Sequence, residues 1–240
     1  MKAVTDGDVD TLQQLIQSKA DVEELEDGFT PLMRAVKLND VECVRALICG
    51  KACIDPLDDD DATPLFIACR NGSEAITRLL LDANADVDAL NAADGITPLF
   101  LAANHGQADC LQLLIAAKAD IEACDMDRTT PLHTAIIQGH TYCVGILLKA
   151  KAAIEADVID SDDHVPTALL LAVEYGQDVC AQLIINAKAN IEARNHKGET
   201  ALMLAARTGS RYCAQVLLSA KADVRTTDNA GYTPLMIAAA

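Results

Sequence analysis

Apolar and polar positions along the chain recur in blocks. Each block opens on Thr-Pro-Leu or Thr-Ala-Leu and runs through a short apolar stretch to a glycine. It resumes with apolar positions at helical spacing and closes on a polar, acidic stretch. The openings fall at Thr30, Thr63, Thr97, Thr130, Thr167, Thr200 and Thr233, at steps of 33, 34, 33, 37, 33 and 33 residues. A fixed period of this length marks a repeat architecture.

Local chemistry assigns the elements of each block. Threonine is a good helix N-cap, and proline fits the first helical position, where its missing N–H costs nothing. A short helix therefore starts at each Thr and stops near Gly72, Gly106, Gly139, Gly176 or Gly209, because glycine takes the left-handed conformation that closes a helix. A second helix follows, with Ile76, Leu79 and Leu80, or Cys110, Leu113 and Leu114, on its buried side. Helices of roughly two to three turns do not persist alone in water, so they must be held by stacking on their neighbours.

With T-P-L-x-x-A opening the first helix and Ala-Asp-Val (Ala85-Asp86-Val87) opening an extended finger, the chain resembles the ankyrin repeat family over nearly its whole length. The resemblance implies an all-α solenoid of antiparallel helix pairs, with β-hairpin-like fingers projecting beside a concave groove, and a protein-binding role. The expected organisation is one repeat domain over 1–240: partial repeats at 1–29 and 233–240 flank units 30–62, 63–96, 97–129, 130–166, 167–199 and 200–232. Ala3-Val4 align with Ala35-Val36, and the last unit stops after one helix, so the sequence is expected to be a piece of a longer array or multidomain protein.

Three registers depart from the family. The histidine that usually follows T-P-L, where it helps tie neighbouring repeats, is replaced by Met33, Phe66, Phe100, Leu170, Met203 and Met236; only His133 keeps the polar tie. The usual glycine before Ala-Asp is Lys or Asn at Lys19, Lys51, Asn84, Lys118, Lys151, Lys188 and Lys221. Either the backbone differs there, or stacking offsets a left-handed strain on the order of 1–2 kcal/mol. Four residues on stand Glu23, Asp55, Asp88, Glu122, Glu155, Glu192 and Arg225, so no Asn remains for the hydroxylation known in some members.

Composition adds little to the fold and much to the function classes excluded. Aromatics make up 3% of the 240 residues and Trp is absent, which suits close packing of small side chains. A net charge of −17 argues against binding a phosphate backbone. No window is long and apolar enough for a membrane span, and the start lacks a signal peptide's apolar core. Of nine cysteines, Cys43, Cys110, Cys143, Cys180 and Cys213 share one register with Ile76, the signature of core positions. Equivalent positions on neighbouring repeats lie about 8–10 Å apart, too far to bridge. Buried free thiols and a reducing, cytoplasmic or nuclear, compartment follow. Cys49, Cys53, Cys69 and Cys124 break the register without forming a zinc motif. No catalytic or nucleotide-binding signature is present, and neither a cofactor nor a metal is expected.

Placed on the repeat, the charge is finger charge. The fingers hold 26 of the 36 acids and 10 of the 19 bases, a net of −16, concentrated in the first five. Asp27, Asp60, Asp94 and Asp127 each stand three before a Thr, with Asp163 close to that register in the fifth finger, where four extra residues are inserted within Ala156–Asp163. This ladder is a candidate dock for a basic protein segment. The alternative reading is that acidic turns simply keep a solenoid soluble. The family resemblance adds the residue before each Thr and the end of each first helix as contact positions: Phe29, Ile96, Arg70, His105, Ile137 and Tyr175, of which Phe29, Ile96, Ile137 and Tyr175 are the expected anchors, or else ordinary packing between fingers. A monomeric interaction module is expected, with a structural spacer or tether as the alternative.

Overall fold

A computed structural model describes residues 1–91, 94–155 and 167–239. The chain divides into two compact units, Met1–Met126 and Asp127–Ala240. The first holds α1 (Lys2–Thr5), α2 (Val9–Gln17), α3 (Pro31–Lys37), α4 (Val41–Cys49), α5 (Pro64–Asn71), α6 (Glu74–Asp82), α7 (Pro98–Asn104) and α8 (Ala108–Ala116). The second holds α9 (Pro131–Ile137), α10 (Thr141–Lys149), α11 (Ala168–Glu174), α12 (Asp178–Asn186), α13 (Ala201–Thr208), α14 (Arg211–Ser219) and α15 (Pro234–Ala238). In each unit the first helices of the repeats pack in one row, α1 on α3, α5 and α7, or α9 on α11, α13 and α15. The second helices α2, α4, α6 and α8, and likewise α10, α12 and α14, form a parallel row behind them. Each unit is thus a stack of helix pairs.

The threonine caps form wherever proline follows. Thr30, Thr63, Thr97 and Thr233 each accept a hydrogen bond from the amide three residues on, at 3.2–3.3 Å. Thr130 makes a reciprocal capping box with His133. The two threonines followed by alanine do not cap: the hydroxyls of Thr167 and Thr200 are buried with no hydrogen-bond partner among the described residues. There the expected cap is corrected, and those helix starts rest on packing of their apolar face. His133 also differs from its expected role. Its Nδ1 accepts from the Thr130 amide at 3.4 Å, a tie inside its own repeat, while Nε2 is buried without a partner among the described residues.

The lysine row settles the question left by the sequence: the backbone does not change to suit it. Lys19, Lys51, Asn84, Lys118, Lys151, Lys188 and Lys221 all have φ between 62° and 73°. Each closes its helix in a Schellman turn. In the repeat of Lys118, for example, its amide bonds Ile115 O at 3.1 Å and the next amide, Ala119, bonds Leu114 O at 3.0 Å. Two backbone bonds and a mostly buried alanine offset the left-handed strain.

The core is aliphatic and sulfur-rich. Cys43, Ile76, Cys110, Cys143, Cys180 and Cys213 are all at most 1% exposed. Their sulfurs also reach neighbouring repeats: Cys110 contacts the Thr77 hydroxyl at 3.5 Å, Cys180 the Thr141 hydroxyl at 3.6 Å, and Cys213 donates to Asp178 at 3.1 Å. Cys69, off register in sequence, is buried against Cys110, and that contact followed by burial pushes its thiol up. Burial likewise pushes Cys43 to about 12 and Cys143 and Cys213 to about 11.

Candidate protein-binding surface

The fingers are built by short-range hydrogen bonds. Asp27-Gly28 form a two-residue turn with both φ positive, 55° and 76°, and Glu26 and Phe29 exchange both backbone bonds at 3.1 Å. This is the Asp-Gly hairpin geometry. Glycine at 28 suits this positive φ, and a Cβ there would stand 2.5 Å from the exposed Asp59 carboxylate of the next finger, which would have to swing aside. In later fingers an Asp or Asn at the turn's base accepts from the tip amides: Asp58 from Asp60 and Ala62, Asn91 from Asp94, Asn195 from Lys197 and Glu199, Asp228 from Ala230 and Tyr232.

A second set of acids ties finger to finger, which sequence reasoning missed. Glu23 accepts from the Cys53 amide at 2.7 Å, Asp55 from Asp86 at 3.2 Å and Asp88 from Asp120 at 3.0 Å. In the second unit Glu155 accepts from Asn190 at 2.6 Å and Glu192 from Asp223 at 2.8 Å. Burial raises the Asp55 pKa, opposed by the Asp86 amide bond. The signal was present in the sequence as an acid held at one register of six repeats. The Asp of each Ala-Asp step folds its own turn, as Asp21 does by accepting from the Glu23 amide. Much of the finger charge is therefore committed to backbone amides.

Other acids, those at the tips among them, are not so committed. Asp59, Asp60, Asp61 and Asp94 are exposed and make no ion pair among the described residues. Asp27, also exposed, is different: Arg34 reaches it at 3.5 Å. Phe29 is half-buried beneath two cations, Lys37 Nζ at 4.3 Å and the Arg34 guanidinium at 5.2 Å from the ring centre. Ile96 is 8% exposed and is withdrawn as a contact anchor, because it packs into the finger base, where its carbonyl accepts from Asn91. Arg70 and His105 are exposed at the ends of first helices, and His105 Nδ1 lies 3.1 Å from Leu101 O. In the second unit Asp127 is exposed, Ile137 half-buried and Tyr175 52% exposed. Asp163 and the insertion within Ala156–Asp163 lie outside the described residues.

In the first unit the exposed acids stand on the fingers and Phe29 is half-buried ahead of α3, while in the second Tyr175 is exposed at the end of α11. Among the described residues no cluster of His, Cys, Asp and Glu has the make-up of a metal site, and no helix is long and apolar enough to cross a membrane.

A sequence profile for ankyrin repeats (three copies) matches residues 1–91, 85–162 and 169–240. No curated protein matches the chain. Among solved structures, the ankyrin repeat domain of Bcl-3, described as a unique member of the IkappaB protein family, is 30% identical, covers 88% of this chain and 95% of its own, and superposes with a TM-score of 0.78. The human ASB11 ankyrin repeat domain is 27% identical, with 92% and 97% covered and a TM-score of 0.75.

Proposed function

The chain belongs to the ankyrin repeat family, and from that premise, which supports a general protein–protein interaction module, we propose that its finger tips and first-helix ends dock a basic segment of another protein. The observation that carries this reading is the division of labour among the finger acids. Glu23, Asp55, Asp88, Glu155 and Glu192 are used by backbone amides, whereas Asp59, Asp60, Asp61 and Asp94 are exposed without ion pairs among the described residues. Acids that only solubilised the fold would not need to stand at successive tips at one register. They attract a cationic partner and, being exposed, bind it in a salt-dependent way.

The same reading takes the chain as a monomer that needs no cofactor, performs no catalysis and contacts neither nucleic acid nor membrane through this segment. The nine free cysteines, six of them buried, support a reducing compartment, cytoplasm or nucleus. The test is fluorescence anisotropy with a Lys/Arg-rich peptide across a salt series. Asp60, Asp94 and Asp127 changed together to Asn are expected to weaken binding several-fold and flatten the salt dependence, while Asp27→Asn, already compensated by Arg34, changes it little. Binding that ignores both the substitutions and salt overturns the acidic dock, and the absence of any bound partner favours the spacer or tether reading.

A further inference from the structure

Three steps of the chain read Asp-Gly and one reads Asn-Gly: Asp6-Gly7, Asp27-Gly28, Asp94-Gly95 and Asn71-Gly72. In such a step the glycine nitrogen can attack the side-chain carbonyl carbon that precedes it, because no Cβ crowds the approach. A nitrogen that donates a hydrogen bond is instead held toward its acceptor. Gly7 donates to Val4 O at 3.2 Å, Gly72 to Cys69 O at 3.3 Å and Gly95 to Asn91 O at 2.8 Å. Asn71 is further fixed as the last residue of α5, and Asp94 by its own amide, which donates to Asn91 Oδ1 at 2.8 Å. Gly28 differs from the other three. Its hairpin closes through Glu26 and Phe29, and its own amide donates to nothing among the described residues. The Asp27 side chain is 85% exposed, and its contact with Arg34, at 3.5 Å, is a long surface ion pair of the kind that restrains little.

We infer that Asp27-Gly28 is a site of spontaneous backbone modification, at which Asp27 converts to isoaspartate. The Gly28 nitrogen bonds to Asp27 Cγ, the amide proton and the carboxyl hydroxyl leave together as water, and a five-membered succinimide remains. Water then adds back to the ring. Opening at the α-carbonyl leaves the main chain running through the former side chain and frees an α-carboxylate. Water is the only co-reactant, so atoms balance without an oxidant or cofactor. The product carries one more carbon in the main chain of a two-residue turn, which breaks the register in which Glu26 and Phe29 exchange both bonds. Phe29 then loses its fixed place beneath Lys37 and Arg34. The new carboxylate, on an exposed tip, is a substrate for a methyl-transferring enzyme that recognises isoaspartate. This site is independent of the basic-segment reading.

The test ages the full chain at neutral pH, folded and in guanidinium chloride. Isoaspartate is counted at each step by peptide mapping after an isoaspartyl methyltransferase has transferred a labelled methyl group from S-adenosylmethionine. Dividing each folded rate by the unfolded rate of the same step removes the intrinsic difference between Asp and Asn. Asp27 is expected to keep a fraction of its unfolded rate about threefold or more above the fractions kept by Asp6, Asn71 and Asp94, in line with the one backbone hydrogen bond that they have and it lacks. Asp27→Glu, checked for fold by circular dichroism, would need a six-membered ring and is expected to remove the label from its peptide. An equal or larger fraction at Asp6 or Asp94 would overturn the proposal, as would label that persists in Asp27→Glu. So would a folded chain that stays unlabelled at Asp27 while the unfolded chain converts.

Discussion

His133 makes the second unit sensitive to acid in a way that can be isolated. Its ring is fully buried, and burial holds its pKa down to about 4 from 6.5. Because Nδ1 accepts from the Thr130 amide, the ring proton sits on Nε2, which has no partner among the described residues. The unfolded chain therefore binds a proton between these two pH values that the folded chain refuses. Folded-state stability is full above the unfolded value near 6.5 and falls as pH drops toward 4. Between pH 8 and pH 5 this amounts to about 2 kcal/mol, from two titrations separated by the shift at about 1.36 kcal/mol per unit. The perturbation is His133→Leu, the residue that stands at the equivalent Leu170. Urea unfolding of both proteins at pH 8 and pH 5 subtracts the carboxylate titration common to both. The wild type should lose about 2 kcal/mol more than the variant. Equal losses, or a greater loss in the variant, would refute the assignment of a buried neutral imidazole.

Three further outcomes follow from single residues. Thr63→Val removes a working cap and should destabilise by about 1 kcal/mol, whereas Thr200→Val, at a buried hydroxyl without a partner among the described residues, should be neutral or stabilising by denaturant titration. Lys118→Gly, at φ 73°, relieves left-handed strain and should raise stability by about 1 kcal/mol; a loss there would mean that the lysine side chain contributes more than its backbone costs. Under native conditions an aromatic disulfide reagent should label Cys49, Cys53 and Cys124 quickly and the six buried cysteines only on unfolding, counted by intact mass.

The helix pairs were legible because their signals are local. Thr63-Pro64 starts a helix and Gly72 ends it through bonds that span three to five residues, and the cysteine register marks a buried face at the same scale. The fate of each finger acid was not legible. Glu23 and Asp27 lie four residues apart and are chemically alike, yet one accepts from an amide 30 residues away and the other meets Arg34. Cys69 stood out of register until stacking brought it to Cys110.

By itself the sequence determined the period, the helix starts and the net acidity, since each depends on neighbours along the chain. Only the stacking decided which charges are consumed and which remain. That choice depends on groups about thirty residues apart, as where Glu23 accepts from the Cys53 amide.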